Sequence, residues 1–75
     1  MTDDRIAQVV DLVAQALDIP PDELGPDSSM ENVPQWDSVE HMSICLAFEQ
    51  RFGKALDMDA ITTATSIRAL AELVP

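Results

Sequence analysis

Residues 36–53, Trp36-Asp37-Ser38-Val39-Glu40-His41-Met42-Ser43-Ile44-Cys45-Leu46-Ala47-Phe48-Glu49-Gln50-Arg51-Phe52-Gly53, read as a helix with two apolar faces. At roughly 100° per residue, Ile44, Cys45, Phe48 and Phe52 fall within one arc, with His41 at its edge, the i, i+1, i+4, i+8 pattern of a core stripe. Val39, Met42 and Leu46 lie on the opposite arc at i, i+3, i+7, alongside Ser43 and Gln50. One small core cannot take both stripes. The second, bordered by Glu40 and Glu49, reads as a docking surface. Its plainer alternative is scattered surface apolar side chains of the kind soluble proteins carry.

The ends of this helix carry their own signals. Asp37 is a good N-cap, and Glu40 three residues on makes a capping-box-like pair. Phe52-Gly53 closes it, with Gly53 available for a left-handed C′ conformation. Ser38 falls in the first turn, where unpaired N–H groups and the helix dipole favour a negative group such as a phosphodiester. Taken alone, the same serine would be an ordinary aid to the cap.

Upstream, residues 18–37 hold four prolines, Gly25 and several Asp, Ser and Asn residues, a loop composition. Pro21-Asp22-Glu23-Leu24 suits a single helical turn, because proline is accepted at a first helical position. Leu24, Met30 and Val33 are spaced to anchor this loop in a core. Before it, Thr2 or Asp3 can cap a first helix whose Ile6, Val9, Val10, Val13 and Leu17 form one apolar stripe, stopped near Asp18 by Pro20 and Pro21. Downstream, Asp57 to Thr63 makes a short third helix with Met58 and Ile61 inward. Thr65 or Ser66 then caps a last helix buried through Ile67, Leu70, Leu73 and Val74. The expectation is an all-α domain over residues 1–75: four helices, a long loop between the first and second, and a short third.

Size and charge bound the function. Seventy-five residues are too few for a deep catalytic cleft. With 14 acidic residues against 4 basic ones the net charge is -10, which opposes nucleic acid and anionic membrane and favours basic partners. Cys45 is the single cysteine and has no internal partner for a disulfide. No apolar run reaches the roughly 20 residues that span a bilayer, and the acidic Met1-Thr2-Asp3-Asp4 start is unlike a basic secretion signal, so a cytoplasmic protein is expected, with a monomer as the default state.

Other chemistries fare poorly. Ser38 and His41 are three apart and can meet on a helix, but no third group orients the imidazole and no oxyanion donors accompany them. His41 reads better as a core-edge residue and Cys45 as a small apolar one. One His, one Cys and scattered acids give no metal-ligand spacing, and Asp57-Met58-Asp59-Ala60 lacks the glycine and distal glutamate of a calcium loop.

Over nearly its whole length the chain resembles the acyl and peptidyl carrier proteins. Asp37-Ser38-Val39 is similar to their Asp-Ser-Leu signature at the start of the second of four helices. Pro26-Asp27-Ser28-Ser29-Met30 looks like their preceding loop, Leu46 through Gly53 like their second-helix ending, and Thr65-Ser66-Ile67 through Leu73 like their fourth helix. Trp36 matches the Trp-Asp-Ser-Leu variants of discrete carriers.

The resemblance implies a four-helix carrier bundle with 4′-phosphopantetheine on Ser38, beside Asp37, transferred from coenzyme A by a phosphopantetheinyl transferase. It implies partner contact through Val39, Glu40, Met42, Leu46 and Glu49, and delivery of a thioester-linked cargo from a loading ligase or transferase to downstream enzymes, with no catalysis by the carrier itself. Ser43 stands where fatty-acid carriers place an acid, Gln35-Trp36 replace their usual lead-in, and Gln50 and Arg51 thin the acidity. A discrete carrier of a specialised pathway, polyketide or nonribosomal peptide, is therefore expected. The rival is a cofactor-free acidic adaptor binding a protein through Val39, Met42 and Leu46.

Overall fold

The computed structural model of the chain describes residues 4–53 and 58–74, with Met58 described by its backbone alone. It contains α1 (Asp4–Leu17), a 3-10 turn (Pro21–Glu23), α2 (Ser38–Phe52), α3 (Met58–Thr63) and α4 (Ile67–Glu72). This is the expected all-α, four-helix architecture with a long α1–α2 loop and a short α3. The expected Thr2 or Asp3 cap, the Asp57 start of the third helix and an inward Met58 side chain lie outside the described residues.

α1 packs against both α2 and α4, and α2 also packs against α3. That double contact explains why the buried side of α1 is wider than its sequence stripe. Leu12 and Ala14 are buried with Val9, Val13 and Leu17, while Ile6 and Val10 are half-buried at its margin. Ile44, Cys45 and Phe48 of α2, Ile61 of α3, and Ile67, Leu70, Ala71 and Val74 complete the core. Phe52 is half-buried; its ring lies 4.7 Å from that of Phe48 and under the Arg51 guanidinium.

Helix ends follow local chemistry. α1 closes with Asp18 at φ 58°, in the left-handed region that glycine or asparagine more often occupies. The Ile19 amide donates to Ala14 O (3.0 Å) and that of Asp18 to Gln15 O (3.3 Å), a Schellman closure, after which Pro20 and Pro21 forbid further helix. At the end of α2, Gly53 has positive φ as expected, but its ψ of 167° is extended rather than left-handed helical. That combination is confined almost wholly to glycine, and its amide still donates to Glu49 O at 2.8 Å.

The long loop is tied down rather than draped. Leu24 and Val33 are buried and Met30 is half-buried, so all three expected anchors reach the core. The loop also pairs with the segment entering α4 through an isolated antiparallel bridge between Ser29 and Ser66. There Met30 N–H donates to Thr65 O (2.9 Å) and Ile67 N–H to Ser28 O (3.0 Å). Since Ile67 opens α4, the loop carbonyl satisfies one of that helix's orphan amides, and Ser66 Oγ takes another from Ala69. The loop thereby delivers the chain to the start of α2 from a fixed base.

Candidate functional site

The start of α2 is built by Asp37. Its backbone is extended, its carboxylate Oδ1 accepts from the Glu40 amide at 2.9 Å, and its carbonyl accepts from the His41 amide at 2.8 Å. Two first-turn amides remain, those of Ser38 and Val39, with no partner among the described residues. They are the positive end of the helix dipole.

Ser38 is exposed, and among the described residues no hydrogen bond engages its hydroxyl. It borders an open groove whose other walls include Asn32, Val33, Pro34 and Trp36.

The other serines separate from it by geometry. Ser28, which also follows an aspartate, spends its hydroxyl accepting from the Gly25 amide at 2.9 Å. Ser29 Oγ accepts from Glu31 N–H, and Ser66 Oγ caps α4. Ser43 is exposed but lies mid-helix, where neighbouring amides are already paired within the helix. Only Ser38 joins an exposed, unengaged hydroxyl to a free helix start.

The second apolar stripe faces solvent. Val39 is 74%, Met42 61% and Leu46 55% exposed, the large exposed hydrophobics of the described chain. Glu40 and Glu49 flank them, half-exposed, and among the described residues neither enters an ion pair. Two arginines are spoken for, Arg51 beside Asp11 and Arg68 beside Asp27.

His41 lies deeper than its place at the edge of the core arc suggests, at 4% exposure. Trp36 Nε1–H donates to its Nδ1 at 3.0 Å, and its Nε2 faces Ile61 O at 3.0 Å. Both ring nitrogens are occupied, so the imidazole has none left to act as a base for Ser38. Trp36, at 1% exposure, is the largest fully buried side chain and one that the sequence stripes did not include. Its only sequence signal was an aromatic residue at the hydrophobic N′ position before a helix cap.

Cys45 is buried, and that burial pushes its thiol above the ordinary 9.0, opposed by a hydrogen bond with the Thr62 side chain. It is a protonated core residue, not a nucleophile. Among the described residues no cluster of three His, Cys, Asp or Glu is placed to hold a metal, and no helix is long and apolar enough to cross a membrane.

The family model described as phosphopantetheine attachment site matches residues 7–74. No match was found among curated proteins.

Proposed function

The chain belongs to the phosphopantetheine attachment-site family, and from that premise we propose that Ser38 is the serine bearing the arm. Members of the family hold 4′-phosphopantetheine covalently on a serine, and such carrier domains are not themselves catalysts. The single observation that carries the assignment is the contrast among the serines: Ser38 alone pairs an exposed, unengaged hydroxyl with unpaired amides at a helix start.

Those amides fit the group. The Ser38 and Val39 N–H groups would serve a phosphodiester on the Ser38 hydroxyl, while Asp37 directs one carboxylate oxygen onto Glu40 N–H. When bound, the arm supplies a thiol that holds an acyl or aminoacyl unit as a thioester. The protein contributes a rigid, solvent-facing anchor, so the tethered cargo samples partner active sites at high effective concentration.

Val39, Met42 and Leu46 form the ridge that partners grip, with Glu40 and Glu49 drawing basic surfaces toward it. A transferase must grip here first, and loading and processing enzymes of a specialised pathway follow. A cofactor-free adaptor would use the same ridge, but no observation favours it over the carrier.

The test is peptide fragmentation of the chain after incubation with coenzyme A and a phosphopantetheinyl transferase. The arm is expected on Ser38; its appearance on Ser28, Ser29, Ser43 or Ser66 refutes the assignment.

A further inference from the structure

We propose that Trp36 is a positioning residue for the transfer onto Ser38, held in register by His41; the inference rests on the Ser38 assignment above. The indole Nε1–H only donates, so His41 Nδ1 must accept from it across their 3.0 Å contact. The imidazole proton then sits on Nε2 and is donated to Ile61 O, also at 3.0 Å. A neutral ring in one tautomer satisfies both bonds at once.

The chain of bonds therefore has a direction: the residue two before Ser38, through a side chain one turn into α2, to the backbone of α3. Ile61 O receives the Ala64 amide as well, at 3.1 Å, so the far end of the chain is fixed in α3. With Trp36 and His41 both buried, water is not at hand to replace a lost partner, and breaking either bond leaves a polar atom unsatisfied.

Burial alone would be met by any large apolar residue at position 36. What the indole adds is orientation. The Ser38 hydroxyl is held by no hydrogen bond among the described residues, so its location is set by the backbone of residues 36–38. That backbone is held by the Trp36 amide on Val33 O (2.9 Å), by the Asp37 cap, and by the ring of Trp36 against His41. Of these, the ring contact is the one that leads on, through His41 Nε2, to Ile61 O of α3.

The transfer forms a bond from Ser38 Oγ to the phosphorus of the arm. It breaks the bond from that phosphorus to the nucleotide portion of coenzyme A, which leaves as the bisphosphate, while a base of the transferase takes the hydroxyl proton. Attack must be in line with the departing oxygen, and small misplacements of the hydroxyl cost rate steeply. Docking on Val39, Met42 and Leu46 is untouched by Trp36, so the cost falls on kcat and not on KM.

The test compares Trp36→Phe, which keeps an apolar ring but removes the donor, with Val13→Ala, a core change in α1. Both are assayed for transfer at a temperature where circular dichroism shows the full chain folded. Trp36→Phe is expected to lower kcat about tenfold with KM for the carrier within about twofold, while Val13→Ala retains the wild-type kcat.

Should Trp36→Phe fail to fold, His41→Leu serves the same purpose, since it removes the acceptor of the Trp36 N–H while Ile61 O keeps the Ala64 amide. A kcat equal to that of Val13→Ala overturns the inference and leaves Trp36 a packing residue. Absence of any arm on wild-type Ser38 overturns both this inference and the assignment beneath it.

Discussion

Asp37 Oδ1 and the Glu40 amide lie 2.9 Å apart across the turn that carries the exposed Ser38, so one carboxylate caps the start of α2. Replacing Asp37 by Ala removes the cap. The expected loss is about 1 kcal/mol, a fall of several degrees in Tm for a domain of this size, measured by thermal melting. An unchanged Tm would mean that the cap contributes nothing.

The exposed ridge separates stability from binding. Met42→Glu and Leu46→Glu place charge where solvent already reaches, so melting should shift by no more than about 0.5 kcal/mol. Steady-state kinetics with a transferase should show KM raised about tenfold, the equivalent of ~1.4 kcal/mol. Strong unfolding in either variant would place these residues in the core after all.

Phe48 supplies the contrast on the opposite face of α2. It is fully buried and packs near Phe52. Phe48→Ala should cost about 3–5 kcal/mol in denaturant unfolding, much of the stability available to so small a domain.

Cys45 gives the domain an alkaline limit. Burial raises its thiol above the ordinary 9.0 in the folded chain, against a partly offsetting bond with Thr62. The contribution to stability is complete below the unfolded value and is lost as pH rises through the folded one. Stability measured by urea unfolding should therefore fall above pH 9 more steeply in wild type than in Cys45→Ala. Parallel curves would refute this coupling. A thiol reagent at neutral pH should react with Cys45 only after denaturation.

Much of this was legible in the residues because it rests on period and capping. Apolar spacing separated the two faces of α2, and the Asp37, Ser66 and Pro20-Pro21 signals located helix ends. Three features were not. Trp36 sits in an irregular, proline-containing lead-in where no periodicity exists to mark it as core. The Ser29–Ser66 bridge is a long-range backbone pairing, to which side-chain pattern is nearly blind. His41 was placed at the edge of an arc, and only the opposing Trp36 and Ile61 groups explain why a polar ring goes fully inside.

The most direct test of the central claim is the intact mass of the wild-type chain and of Ser38→Ala after incubation with coenzyme A and a phosphopantetheinyl transferase. Wild type should gain one phosphopantetheine and Ser38→Ala none, with identical helicity. A mass gain that survives the substitution, or no gain in wild type with several transferases, would contradict the account.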